Sequence, residues 1–559
     1  MRFNTVTIGA LVRENWKSGL TVALISTPLS IALSIASGAG PIPGLITAVW
    51  ATAIAALFCS SNYNIIGPAG ALTTVLFAAT FSSPIGLGAG VLPLLAIASG
   101  FLILCIWLAG LDRFLYYIPS SVMYGFAAGV AILIAASQLF DASGLSDLKR
   151  TGSFIGDIGL FIRNIGGVHT VSIGVFGAFL AGILIWKRCI TFLPAVIPAA
   201  IIGILVGFID AEFFNLDITS IADKFGDISA TLYQPLSFNA LRTLLSYPDA
   251  LGWIFKTAGV IALIAVLETL ITAKIGDKIT RTQSSSRREI FGLSLANIGS
   301  GLMGGLPATG VFIRTGANIK AGATHRMSAL LSAGFTAVLI LMVLPFFSYL
   351  PVAVIAAILV NTAIGLIELE KFREFWREEK ESFGIALLVA GITILEDAAI
   401  AVLVGAVVAL LIYANKVSTG RFHVVLNFTN GSVEDIRTAR HLALPDDKEI
   451  DVVTYGIAGY LGYIDSAQHA ANFRHLARAK NVRAVIIRLR DLFSIDFEGH
   501  EMLRDAITDL TVKGKKVAIS SASDSIAEEL RVAGLGEKTI NQDYTAKAAD
   551  VVAELRAKL

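Results

Sequence analysis

Long apolar runs dominate the chain from about Gly19 to Ala414, and beyond Lys416 the texture turns to mixed apolar and charged residues. A membrane-spanning helix needs about 20 mostly apolar residues. The runs predict helices at 16–38, 42–59, 67–82, 88–109, 115–140, 169–186, 191–209, 254–275, 290–304, 307–321, 327–349, 351–367, 383–397 and 399–415, fourteen segments in all. The first is too long for a signal peptide, contains Pro28 and lacks a small-residue cleavage site. The tail alternates instead. Val452–Tyr463, Ala484–Arg490 and Lys516–Ser521 are rich in Val and Ile and read as strands. Ser466–Ala479, Glu498–Val512 and Ser525–Val532 have the period of amphipathic helices. The expected fold is an all-α membrane domain over 1–418, followed by a small α/β domain over 421–559.

Basic residues orient the predicted spans. Arg2, Arg13 and Lys17 precede the first, which places the N-terminus in the cytoplasm. Every second connection then carries cations: Arg113; Lys187 and Arg188; Lys274, Lys278, Arg281, Arg287 and Arg288; Lys320 and Arg326; Lys371 to Lys380; Lys416. The connection 210–253 carries Asp210, Glu212, Asp217, Asp223, Asp227 and Asp249 and is expected outside. Both termini are therefore expected in the cytoplasm of an inner or plasma membrane. The stretch Lys371–Lys380 alternates in sign and reads as a solvated amphipathic linker.

Two segments are short and polar-tipped. One opens Gly67-Pro68-Ala69-Gly70, the other Pro307-Ala308-Thr309-Gly310, and each is third in its set of seven. Short, Gly/Pro-interrupted segments at matching places in two halves mark inverted-repeat transporters; the plainer reading is two ordinary short helices with loop glycines. A helix start offers unpaired N–H groups and about half a positive charge, hence a place for an anion. The candidate donors are Ala69, Gly70 and Ala71 on one tip, and Gly310, Val311 and Phe312 on the other. The glycines would let a ligand approach closely, and Pro68 and Pro307 suit a helix start.

Arg314 lies one turn into the second short helix within an apolar sequence. An intramembrane Arg is a functional-site hypothesis by default, against the plain alternative of a structural pair. Glu268 sits in the middle of LIAVLETLITAK, with Thr272 one turn on. A buried carboxylate can take up a proton, partner Arg314, or ligate sodium with hydroxyls and carbonyls. Pro28 interrupts the first helix and frees the carbonyl of Leu24 beside Ser26, Thr27 and Ser30, which suits a cavity wall as well as a simple kink.

Composition narrows the function classes. Of 559 residues 55% are hydrophobic and only 15% charged, against about 25% charged in soluble domains. Lys+Arg is 44 and Asp+Glu is 42, for a net charge of +2, which gives no footprint for nucleic acid. Cys59, Cys105 and Cys189 have no disulfide or zinc spacing. His169 and His325 are the histidines of the apolar part, both at segment ends, so no metal cluster is expected. The tail has neither a GxGxxG nor a Walker pattern. No nucleophile–base pair stands out, so neither an enzyme nor a cofactor is expected.

The motifs together resemble the sulfate permease family, the SulP or solute-carrier-26 anion transporters. STPLSIALSIASG resembles the family's first helix, NIIGPAGALTTV the third, YIPSSVMYGFAAGVAI the fifth and LPVAVIAAILV the twelfth. The stretch LETLITAKIGDKITRTQSSSRREIFGLSLANIGSGLMGGLPATGVFIRTGANIKAGA resembles the eighth to tenth and is the most specific. The tail resembles the STAS domain. The resemblance implies fourteen spans in a seven-plus-seven inverted repeat, with a core of helices 1–4 and 8–11 and a gate of helices 5–7 and 12–14. It also implies a homodimer in the lipid bilayer that moves sulfate, bicarbonate, chloride or dicarboxylates by an elevator-like motion. Pro28, Ala69–Ala71, Gly310–Phe312 and Arg314 would line the substrate site; Glu268 and Thr272 would serve the coupling ion.

Two departures refine that expectation. Sodium-coupled bicarbonate members carry an Asp where this chain has Glu268, and a Thr where it has Phe312, so the resemblance favours proton symport over sodium coupling. In the tail Asp496-Phe497-Glu498-Gly499 stands where anti-sigma antagonists carry a phosphoacceptor loop. Glu498 replaces the hydroxyl residue, which excludes phosphorylation there and implies a structural or docking role. The competing functions are an uncoupled anion channel or exchanger and a nucleobase transporter of similar fold. The STAS-like tail and Arg314 speak against the latter.

Overall fold

The computed structural model describes residues 8–81, 86–110, 119–145, 148, 153–190, 194–214, 216, 218–226, 230–234, 248–396, 398–417, 421–437, 442, 444–445 and 448–559. Arg2, Arg113, Asp217, Asp227, the side chain of Asp249 and the junction 418–420 lie outside the described residues, as do 82, 115–118, 191–193 and 397 of the predicted helices. The chain divides into two compact units, Met1–Ala409 and Leu410–Leu559.

The first unit is helical. Its elements are α1 (Ile8–Ala36), α2 (Pro41–Phe58), β1 (Ile66–Gly67), α3 (Gly70–Phe81), α4 (Leu92–Leu108), α5 (Ser120–Ala142), α6 (Phe154–Arg163), α7 (Thr170–Cys189), α8 (Val196–Ile209) and α9 (Ile221–Phe225). After them come α10 (Pro248–Thr280), α11 (Ser286–Leu302), β2 (Thr309–Gly310), α12 (Phe312–Lys320), α13 (Met327–Phe347), α14 (Val352–Leu366), α15 (Leu369–Glu378) and α16 (Lys380–Leu395). Helix α17 (Ala398–Val417) leads into the second unit. Each of the fourteen predicted segments contains a helix. Among the described residues nine helices are long and apolar enough to cross a membrane.

Helices α1, α2, α4, α10, α11 and α13 pack on one another, and α5, α7, α14 and α16 form a second group. Glycines permit the closest crossings. A Cβ on Gly125 would stand 2.3 Å from the carbonyl oxygen of Ala386, so α5 and α16 touch backbone to backbone. Pro28 sits within α1, which continues through it to Ala36. The two short segments start later than predicted. α3 begins two residues after Pro68, directly beyond the extended β1, and α12 five residues after Pro307, because β2 keeps the intervening backbone extended. Neither proline is the first residue of a helix.

The second unit contains a five-stranded sheet in the order β4-β3-β5-β6-β7. Strands β3 (Arg421–Phe428), β4 (Val433–Arg437) and β5 (Ile450–Leu461) pair antiparallel; β6 (Val482–Ile495) and β7 (Lys516–Ser520) continue in parallel. Helices α18 (Tyr463–Arg478), α19 (Phe497–Val512), α20 (Asp524–Val532) and α21 (Ala548–Lys558) complete it. The three predicted strands and three predicted helices match. β3, β4 and α21 lie outside the predicted elements; VEDIR and the charged C-terminal run lack a clean apolar period, whereas β3 buries Phe422, Val424, Leu426 and Phe428 at alternate positions. Asp496 caps α19: its Oδ1 accepts the Gly499 N–H at 2.8 Å, and its Oδ2 accepts the Tyr460 hydroxyl at 2.9 Å and the Tyr463 N–H at 3.1 Å.

Candidate functional site

The site begins with two dipeptides of extended backbone. β1 and β2 pair antiparallel, Ile66 opposite Gly310 and Gly67 opposite Thr309, and each feeds a helix within three residues. The ladder therefore sets the starts of α3 and α12 beside one another. Extended backbone at membrane depth is tolerated only where protein satisfies its polar groups. Here side chains and neighbouring backbone do so. The Thr52 hydroxyl donates to the Ile66 carbonyl at 2.5 Å, the Gly310 N–H to Thr269 Oγ1 at 2.8 Å, and the Val311 N–H to the Ile65 carbonyl at 2.8 Å. The Asn297 amide bonds Ala308 in both directions, at 2.8 and 3.0 Å.

Gly310 has no room for a side chain. A Cβ there would stand 2.9 Å from Thr269 Cα and 2.9 Å from Asn64 Oδ1. The close approach this glycine permits is that of α10 and Asn64. Two of the three N–H donors expected on this tip, Gly310 and Val311, are thus taken by protein acceptors, and Phe312 is 42% exposed. The other tip differs. Ala69, Gly70 and Ala71 are all buried at the start of α3. A Cβ on Gly70 would meet the far ends of Leu366 and Ile134, at 3.3 and 3.4 Å.

Arg314 is fully buried on the first turn of α12. Its Nη2 donates to Ser30 Oγ of α1 at 3.0 Å, and its Nε and Nη1 have no acceptor among the described residues. Nη1 lies over the β1 backbone: a Cβ on Gly67 would stand 2.4 Å from it. Each buried donor without a partner costs about 1–3 kcal/mol, and more for a charged group. A cation held this way calls for an anionic acceptor. Pro28 belongs to the same stretch of α1 as Ser30, two residues before it.

Glu268 lies on α10 and is partly buried. Its Oε2 accepts the Thr309 hydroxyl at 2.6 Å, while the Thr272 hydroxyl donates to the Gly310 carbonyl at 3.2 Å. Arg314 and Glu268 are not joined as an ion pair: the guanidinium reaches Ser30, the carboxylate Thr309. The ladder thus gathers Glu268, Thr272, Gly310 and Val311 about one crossing, with Arg314 alongside. The side chain of Phe312 falls outside it. Sequence reasoning named Gly67 and Thr309 only as parts of the two polar tips, and did not single out Thr269, Asn64 or Glu289. The first three adjoin residues it did select, so the motif was legible and its internal wiring was not. Asn64 and Glu289 lie in polar stretches that read as loop, with no periodic signal of burial.

A helical membrane unit with paired extended breaks and a buried cation beside them defines a multi-pass integral membrane protein of the transporter type. The sequence model of the sulfate permease family matches residues 13–389, and the chain belongs to that family, whose members are transporters and not enzymes. The chain is 26% identical over 518 residues to the bicarbonate transporter BicA of Synechocystis, covering 92% of this chain and 88% of that protein. It is 28% identical over 403 residues to sulfate transporter 4.1, chloroplastic, of Arabidopsis thaliana, covering 69% of this chain and 56% of that one. Among solved structures it is similar to the murine solute carrier 26 family member A9 anion transporter in an inward-facing state. The TM-score is 0.82 at 13% identity, over 99% of this chain and 93% of that one. The likeness extends to the architecture of both units, a mostly helical membrane domain and a C-terminal domain containing a sheet.

Proposed function

We propose that this protein is a secondary active transporter of a small oxyanion, of the sulfate, bicarbonate or dicarboxylate class, driven by proton symport. The observation that carries the reading is Arg314, fully buried beside the β1–β2 crossing with two nitrogens that lack acceptors among the described residues. An oxyanion seated there accepts from Arg314, and the buried start of α3 adds its helix dipole. A cavity of about 180 Å³ between α3, α5, α6 and α16 is lined by Thr73, one turn from Gly70, and by Ile134, whose side chain faces Gly70, and it supports an access route to that tip. The relatives named for sulfate and bicarbonate transport support the substrate class.

In this reading the chain forms fourteen spans in a seven-plus-seven repeat, with a transport domain at 1–418 and a STAS domain at 421–559. Both termini are cytoplasmic in an inner or plasma membrane, and two copies form a dimer. The group holding α3 and α12 moves against the group holding α5 and α14, as in an elevator. Glu268 takes up the proton. The Thr309 hydroxyl, the Gly310 carbonyl and the Thr272 hydroxyl around it are also oxygen donors, and that clustering favours sodium as the second reading.

Uptake of sulfate, bicarbonate and dicarboxylates into proteoliposomes under imposed proton or sodium gradients tests the function. Wild type should accumulate one of them with external acid alone, and Arg314→Ala should accumulate none while remaining folded. Wild-type affinity in Arg314→Ala would overturn the site; uptake driven by sodium alone would replace the proton. Large uncoupled currents would make it a channel.

A further inference from the structure

A second buried carboxylate belongs to the site's support, and the function above does not use it. Glu289 is fully buried on the first turn of α11. Its Oε1 accepts the backbone N–H groups of Ser60 and Ser61, both at 2.7 Å, and the Ser60 hydroxyl at 3.0 Å; its Oε2 accepts the Asn64 side-chain amide at 3.1 Å. All four partners donate, as an acceptor-only carboxylate requires. These residues form the loop that joins α2 to β1.

Asn64 passes the constraint on. Its Nδ2 also lies 3.4 Å from the Thr269 carbonyl, and its Oδ1 accepts the Thr315 hydroxyl at 3.4 Å. The Thr315 hydroxyl in turn accepts the Ile65 N–H at 3.0 Å. The amide sits directly over Gly310, filling the space where a Cβ would be. It therefore touches β2 and both helices, α10 and α12, that present Glu268 and Arg314.

We infer that Glu289 and Asn64 are positioning residues for the anion site. Glu289 fixes which end of the Asn64 amide faces α10, and that amide sets the β2 backbone that carries Thr309 and leads into α12 with Arg314. The polarity of this relay is its functional content. A carboxylate can only accept, so Asn64 must turn its NH₂ toward Glu289 and its oxygen toward Thr315. In Glu289→Gln the Gln oxygen remains with the Ser60 and Ser61 N–H groups, its NH₂ opposes that of Asn64, and the Asn64 amide must turn over. Asn64→Asp in the same chain supplies an acceptor to the Gln NH₂ and keeps one for the Thr315 hydroxyl.

The inference rests on the transport reading for its kinetic consequence, and an independent measurement tests the relay itself. In the full-length protein in detergent, Glu289→Gln should speed hydrogen exchange at the amides of Ile65, Gly310 and Val311 by about tenfold or more, a loss on the scale of one charge-assisted hydrogen bond. It should leave exchange in the tail sheet unchanged. In proteoliposomes loaded with sulfate or bicarbonate, the same variant should raise KM for the transported anion by about tenfold at nearly constant maximal rate per folded molecule. Glu289→Gln with Asn64→Asp should recover most of both effects. Unchanged exchange at the crossing in Glu289→Gln overturns the inference whatever the substrate proves to be. So does a loss confined to maximal rate, or a double variant no better than the single. If wild type carries none of these anions, the transport reading falls, and the exchange comparison still decides the relay.

Discussion

The two short helices begin alike in sequence and are held in opposite ways. At the start of α12 the backbone is clamped. Thr269 and Ile65 take the Gly310 and Val311 N–H groups, and Asn64 and α10 fill the space above Gly310. At the start of α3 the neighbours of Gly70 are the flexible ends of Leu366 and Ile134, from α14 and α5. One tip is fixed to its own helix group and carries the cation. The other faces the second group of helices. The glycines of the two motifs therefore answer different needs: Gly310 accommodates a neighbouring helix, Gly67 accommodates the Arg314 guanidinium, and Gly70 stands where the flexible ends of neighbouring side chains can yield space.

That contrast breaks most sharply at Arg314 and Gly67. Arg314→Ala should lower uptake about 100-fold or more, since two buried charge-assisted hydrogen bonds to an anion are worth about 3–6 kcal/mol together. Gly67→Ala, which changes no charge, should mimic much of this by displacing Nη1, and labelled-sulfate or bicarbonate uptake measures both. Gly310→Ala comes next: a Cβ 2.9 Å from backbone costs about 1–3 kcal/mol of overpacking, so uptake should fall about tenfold and the melting temperature in detergent should drop. Gly70→Ala should stay within about threefold of wild type, because rotamer shifts of Leu366 and Ile134 absorb the methyl; an equal loss at Gly70 and Gly310 would abolish the distinction. Glu268→Gln should keep anion binding while losing accumulation driven by external acid.

The smallest effect expected lies in the tail, where burial has a cost of its own. Asp465 is 6% exposed, and burial pushes its carboxyl up to about 6. The folded chain then binds the proton more tightly than the unfolded one, so this group lowers stability as pH rises from about 4 to 6 and stays unfavourable above. Asp465→Asn should slow hydrogen exchange in β5 and β6 of the full-length protein at pH 7.5, by the equivalent of about 1–2 kcal/mol, and leave it unchanged near pH 3.5. Burial acts on His469 with the opposite sign, pushing its imidazole down to about 4, so that group loses stability as pH falls from about 6.5 to 4. The tail contains β3, β4 and α21 besides the elements predicted from its sequence. Deleting the tail after Gly420 should impair expression or rate and leave anion choice unchanged, because the Arg314 crossing lies in the other unit.

Apolar period alone located fourteen helical segments, the change of texture after Lys416 and the two polar-tipped breaks, because burial on a helix or strand repeats along the chain and leaves a local record. A lone Arg314 and a lone Glu268 within apolar runs were legible for the same reason: charge among apolar residues is costly and therefore conspicuous. Tertiary structure alone decided what those groups touch. That Arg314 reaches Ser30 and not Glu268, that Thr309 holds Glu268, and that Gly310 lies beneath Asn64 all depend on contacts between segments distant along the chain. Glu289 shows the limit most clearly. Beside Arg287 and Arg288 it reads as one more charge of a solvated turn, yet it is fully buried, because the donors that satisfy it come from the loop after α2, more than two hundred positions earlier. Sequence period reports which face of an element is buried; the hydrogen-bond partners of a buried polar group are set by the packing of elements and leave no period to read.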